Sequence, residues 1–297
     1  MRSYRHHLLA LLGYVLLTLG LTYPLARHFF AAIPGDGFDG WQNVWNIWWI
    51  KHALLVQGTH PYFTQLVDYP SGVYLYFHTL NIFNGLSFLP ITPNLGQLVA
   101  YNTAVMFSFV VGGYGAYLLA LHSLGTARAT AGSDGSARPG SGFDGHREWR
   151  HLAAFVGGAV FSFSPYHMAH LLGHMQLISL EWLPFYALFV VKLLNHPHPL
   201  SAGGRRYVGL AALCLVLVAA CDWYYAFYMV LFSLLCWLWC LGRRCSRLAP
   251  SLALAAVGVL FLVMVSPVLA PMVREASTAD YMVPPAGSTE RLSADLS

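Results

Sequence analysis

The chain has 297 residues, of which 57% are hydrophobic and only 9% charged, with a formal net charge of +4 and a mean hydropathy of +0.54. Soluble domains carry about 25% charged residues, so the charges here are too few to cover a water-soluble globule. A soluble enzyme, a nucleic-acid binder and a disordered chain are excluded, and a membrane protein remains.

The first apolar run, Leu8 to Ala26, follows Arg2 and Arg5. It exceeds the core of about 7–15 residues of a signal peptide and has no small-residue cleavage site after it, so it reads as an uncleaved anchor. Further runs cover Leu98–Leu121, Leu152–Leu194, Val208–Leu241 and Leu252–Leu269. A spanning helix needs about 20 apolar residues, so the second and third of these are too long for one helix each. Basic segments separate the runs: Arg128 to Arg150, then Lys192, Arg205 and Arg206, then Arg243, Arg244 and Arg247. If all face the cytoplasm, each long run is a hairpin, turning near Ser164–His174 and near Asp222.

The expected fold is therefore all-α, one integral membrane domain with about seven spans near residues 8–26, 98–121, 152–170, 175–194, 208–221, 224–241 and 252–269. Its N-terminus is cytoplasmic, its outer loop covers 27–97, and 123–150, rich in Gly, Ser and Ala, is a flexible cytoplasmic linker. Twelve of the 16 Lys and Arg then fall inside. The cysteines, Cys214, Cys221, Cys236, Cys240 and Cys245, form no CxxC and read as buried thiols.

The outer loop holds Gly35-Asp36-Gly37-Phe38-Asp39-Gly40, then Trp41, Trp45, Trp48 and Trp49 at helical spacing. This pattern predicts a helix in the outer headgroup layer with its aromatic face toward lipid and Asp39 at its N-cap. A carboxylate of Asp36 or Asp39 there can act as general base toward a hydroxyl, or the two can share a divalent cation. The structural alternative is a plain cap. A second cluster runs Ser164-Pro165-Tyr166-His167-Met168-Ala169-His170-Leu171-Leu172-Gly173-His174, with Gln176 after it. His170 and His174 share a helix face, but HLLGH lacks the Glu of the metalloprotease motif HExxH, so donors to a phosphate are favoured over a zinc site. Asp222, in Cys221-Asp222-Trp223-Tyr224, is the one charge between Tyr207 and Arg243. An ionisable group inside an apolar hairpin is a functional candidate, with a water-exposed turn residue as the bland reading. Glu181 is a weaker case of the same kind.

These residues carry a resemblance. The acidic first outer loop with its Trp-rich segment, the pattern Tyr166…His170…His174…Gln176 with Trp182-Leu183-Pro184, and Asp222-Trp223-Tyr224 resemble the C-type glycosyltransferases, multi-pass proteins of the bacterial cytoplasmic membrane. The resemblance implies a polyprenyl-phosphate-linked sugar donor, membrane lipid as surroundings, and transfer to an acceptor hydroxyl at the non-cytoplasmic face. It implies Asp39 or Asp36 as catalytic base and His170 and His174 on the leaving phosphate. Asp222, Tyr166, Gln176 and Trp223 complete the substrate-binding set. Relatives are longer, so the chain is expected to be the N-terminal part of a larger protein. A polytopic transporter or a non-catalytic assembly protein is the competing expectation; carriers place paired ionisable groups near the midplane of two related halves, and no such repeat is visible here.

Overall fold

The computed structural model describes residues 2–35, 38–132, 143–243 and 248–278. It is 77% helical, with about 2% strand. In chain order the helices are α1 (Arg2–Leu21), α2 (Phe38–His52), α3 (Ile82–Ser87), α4 (Thr92–Leu95), α5 (Gln97–Gly132) and α6 (Phe143–Ser162). They continue with α7 (Pro165–His170), α8 (Met175–Ile178), α9 (Leu183–Asn195), α10 (Ala202–Cys221), α11 (Trp223–Arg243) and α12 (Leu248–Thr278). Two short strands, β1 (Phe63–Thr64) and β2 (Val73–Tyr74), pair antiparallel between α2 and α3.

Among the described residues five segments are long and apolar enough to cross a membrane: Gln97–Thr126, Met175–Asn195, Ala202–Cys221, Trp223–Gly242 and Leu248–Thr278. The expectation of seven counted α1 and the 152–170 segment as well. Arg2, Arg5, His6 and His7 dilute the first of these, and the second is broken, because α6 stops at Ser162 and Pro165 opens a separate short helix. The stretch 208–241, tight for two crossings, becomes two full helices. α10 begins six residues before the apolar run, taking Arg205 and Arg206 into its first turns, and the turn at Asp222 is a single residue. α12 runs past the expected end at 269, through Pro267 and Pro271, to Thr278. The expected linker is helical at both flanks, since α5 runs to Gly132 and α6 begins at Phe143.

α5 is the central helix, packing on α1, α2, α6, α8 and α9, while α10 packs on α9, α11 and α12. Small residues allow the close approaches in the first group. Tyr14 of α1 is fully buried against Gly113 of α5 and Gly158 of α6, and its hydroxyl donates to the Phe155 carbonyl at 2.9 Å. Any Cβ at those glycines would meet the Tyr14 ring or hydroxyl, so the helices could not close. In the second group Val190, Leu193, Ala211, Leu215, Val218 and Ala253 form a dry seam. Between spanning helices such a seam is held by close van der Waals packing, because lipid tails are as apolar as these side chains.

The segment between α1 and α5, expected as an outer loop, is folded rather than draped on a bilayer. Trp49 is 1% exposed and packs with Ile50, Ala53, Leu75 and Leu80, and its indole donates to the Pro61 carbonyl at 2.8 Å. Trp45 and Trp48 join the same cluster, and only Trp41, at 55%, is well exposed. The aromatic face expected toward lipid therefore points mainly into protein. The physical reason is that residues 59–82 return over α2 and offer the indoles a core of their own.

Candidate functional site

Two chain segments distant in sequence meet at the start of α2. The first is the turn before it, and the second is the turn between α7 and α8. Their contact is backbone to backbone, which only glycine permits. Gly35 has φ +94° and lies against the Leu172 carbonyl, so a Cβ there has no room. Gly173 has φ +145°, and a Cβ on it would stand 3.1 Å from the Gly40 nitrogen. Asn43, one turn into α2, seals the junction: its side-chain amide donates to the carbonyls of Asp39 at 2.9 Å and Gly173 at 3.0 Å.

That junction brings Asp39 to His174. The imidazole Nε2 lies 3.2 Å from Asp39 Oδ2, with the two side chains 42% and 37% exposed respectively. Asp39 is the second residue of α2 rather than its cap, so its charge sits in the first turn, where the helix dipole favours an anion. His170 follows edge-on, its ring 5.1 Å from that of His174, and Tyr166 touches His170 at 4.4 Å. The Tyr166 hydroxyl is 2.8 Å from that of Tyr225, which donates to the Leu177 carbonyl at 2.7 Å. Because the Tyr225 proton is committed there, Tyr166 is the donor in that pair. Three buried atoms of this turn, Nδ1 of His170, Nδ1 of His174 and Oε1 of Gln176, have no hydrogen-bond partner. Buried polar atoms are normally satisfied, so an unsatisfied cluster beside a carboxylate is what a ligand or ordered water would complete.

His167, in the same motif, has a different role. It is fully buried, stacked on Phe109 at 4.0 Å, with its ring nitrogens 2.7 and 2.8 Å from the carbonyls of Ser162 and Ile178. It ties the end of α6 to α8 and so holds the histidine turn in place.

Asp222 and Trp223 lie elsewhere, on a groove of about 690 Å³ walled by α10, α11 and α12 on one side and residues 75–82 on the other. Its lining includes neither Asp39, Tyr166, His170, His174 nor Gln176. The link between the two places is Tyr225, three residues after Asp222 and bonded to Tyr166. Asp222 is the extended residue between α10 and α11, and its Oδ1 accepts the Tyr224 N–H at 2.7 Å, capping α11. Burial pushes its carboxyl above the usual range, against the opposing pull of the Tyr224 and Tyr225 amides.

The sequence reading did not anticipate the asparagines that mount the groove's outer wall. The Asn46 amide donates to the Thr79 carbonyl at 2.8 Å and its oxygen meets His78 Nε2 at 2.8 Å. Asn81 and Asn84 both donate to the Ser179 hydroxyl at 2.9 Å. Burial lowers the His78 pKa from the ordinary value. The signal available in sequence was Asn46, one turn beyond Asn43 and on the same helix face. Asp36 lies outside the described residues. Among the described residues no three His, Cys, Asp or Glu side chains are grouped so as to hold a metal ion. No protein-family model, curated protein or solved structure matches the chain.

Proposed function

We propose that the protein is a membrane glycosyltransferase that moves a sugar from a polyprenyl-phosphate-linked donor to an acceptor hydroxyl at the non-cytoplasmic face of a bacterial cytoplasmic membrane. The observation that carries the reading is the Asp39–His174 pair, a carboxylate at 3.2 Å from an imidazole whose other nitrogen is buried and unpartnered. In the proposed step the acceptor oxygen bonds to the sugar's anomeric carbon while the bond from that carbon to the phosphate oxygen breaks. Asp39 takes the hydroxyl proton, and an N–H of His170 is donated to the departing phosphate; His174, whose Nε2–H is directed at Asp39, adds a donor through Nδ1 when both ring nitrogens carry protons. Asp36 is the alternative base. Tyr166 and Gln176 support the histidine turn, and Asp222 and Trp223 position groups at the groove.

In this reading α1 and α6 also cross, giving seven spans with the N-terminus inside. The folded segment 27–97 then lies outside with Asp39, His174 and Asp222. The test is transfer by the full chain in liposomes supplied with polyprenyl-phosphate hexoses and pentoses. Asp39→Asn is expected to abolish transfer with insertion intact, and wild-type turnover by that variant would remove Asp39 from the mechanism.

One feature favours a carrier as the second reading. The span Met175–Asn195 is broken at residues 179–182, and Glu181 in the break is 0% exposed, with Cys221 Sγ 3.7 Å from Oε1 and no partner for Oε2. Interrupted helices with buried carboxyl groups are characteristic of transporters. Solute counterflow in proteoliposomes that is lost in Glu181→Gln would favour this reading over the transferase.

A further inference from the structure

The groove beside Asp222 has a chemistry unlike that of the histidine turn. One wall is hydrocarbon: Val216 of α10, Phe227 of α11, and Met264 and Val268 of α12. α11 and α12 are largely unburied by protein, so this wall continues into the surface that lipid covers. The lining also includes Tyr62, Tyr76, Thr79 and Asn81, together with Asp222. Tyr62 and Tyr76 are stacked at 5.0 Å, and Tyr74 extends the stack at 5.8 Å. An apolar wall beside polar and aromatic groups is the shape of a site for one amphiphile, with its chain along the helices and its head at Asp222.

The charges disfavour one class of head, the anionic. Among the described residues Asp222 is the only Asp, Glu, Lys or Arg in the lining, which holds no permanent cation from them. Its one imidazole, His78, already spends Nε2 on Asn46 and is disfavoured as a cation by burial. An anionic head would meet a carboxylate with no Lys or Arg in the described lining to offset it. A polyol fits. Its hydroxyls can donate to the Asp222 carboxylate and exchange hydrogen bonds with the hydroxyls of Tyr62, Tyr76 and Thr79. Its C–H faces pack on the tyrosine stack.

We infer that this groove is a binding site for a lipid with an uncharged, hydroxyl-bearing head, a simple glycolipid in chemical class, separate from the Asp39–His174 pair. The inference does not depend on sugar transfer, since binding is read with no donor present. The experiment uses the full chain in nanodiscs of zwitterionic phospholipid, titrated calorimetrically with an alkyl glucoside, an alkyl phosphate and an alkylammonium of equal chain length. The glucoside is expected to bind saturably, and the other two to displace it poorly. Asp222→Asn keeps an oxygen for the α11 cap, so the fold survives while the strongest acceptor is lost. Glucoside affinity should drop about ten-fold, the worth of a hydrogen bond to a charged group. Asp222→Arg should turn the preference toward the alkyl phosphate. Displacement by the phosphate or the ammonium as effective as by the glucoside itself, or unchanged glucoside affinity in Asp222→Asn, would overturn the assignment.

Discussion

Asp39 and Asp222 are the two acidic residues on which the functional reading turns, and their surroundings differ in kind. Asp39 is half exposed, at the first turn of a helix, and faces an imidazole with a second imidazole behind it. Asp222 closes a one-residue turn between two long apolar helices, spends one oxygen on an amide, and otherwise sees tyrosines and hydrocarbon. The first place can exchange protons and hold an anion, because donors are at hand. The second can hold a ligand that donates hydrogen bonds, because its described lining has one strong acceptor and no Lys or Arg. Two carboxylates of equal rarity in the sequence are thus separated into different chemistries by what the fold packs against them.

The comparison breaks most decisively at Asp39. Asp39→Asn should lower transfer by about 10²–10⁴, the range for a lost general base, whereas Asp222→Asn should spare the chemical step and weaken binding at the groove. Equal losses in the two variants, measured as turnover at saturating donor, would merge the two places into one. Next in size is Gly35→Ala. The added methyl has no space beside the Leu172 carbonyl and the positive φ resists it, so the two turns must part and His174 leaves Asp39. A displacement of about 1 Å can cost 10²-fold in rate, and transfer should fall by about that factor with insertion retained. A Gly35→Ala variant with normal turnover would free the pair from that junction.

Smaller effects sharpen the contrast. Asp222→Ala removes the α11 cap and should cost about 1 kcal/mol of stability, against little for Asp222→Asn, as read from denaturant midpoints in detergent. The least effect is the pH dependence of the outer fold. His78 has a folded pKa below the ordinary value of 6.5, so the unfolded chain takes up the proton more readily. Stability therefore rises with pH through this window and is lost as pH falls from about 6.5 toward the folded value. Hydrogen-exchange protection of residues 75–82 should decline on acidification, and His78→Gln should flatten that decline.

Individual residues show how far the chain could be read without coordinates. Asp222 is visible because an acid inside 34 apolar residues has few explanations, whereas His170 and His174, expected on one helix face, stand on either side of the turn after α7, which still brings their rings to 5.1 Å. The Trp stripe from Trp41 to Trp49 was misjudged in its environment: periodicity identifies a helix and its apolar side, yet lipid and protein interior look alike to an indole. Asn43, Asn46 and Asn81 were passed over because an asparagine acquires meaning only from the carbonyl or hydroxyl it reaches, and those lie 130, 33 and 98 residues away.

Hydropathy along the chain was sufficient to establish a helical membrane protein, because backbone amides inside a bilayer must be satisfied within each segment and the required apolar lengths are local properties. The turn at Asp222 is equally local. Which acid meets a histidine and which meets a groove was settled by tertiary packing. The turns that carry Gly35 and Gly173, more than a hundred positions apart, had to meet at backbone contact, Gly35 on Leu172 and Gly173 on Gly40, before Asp39 acquired its histidine.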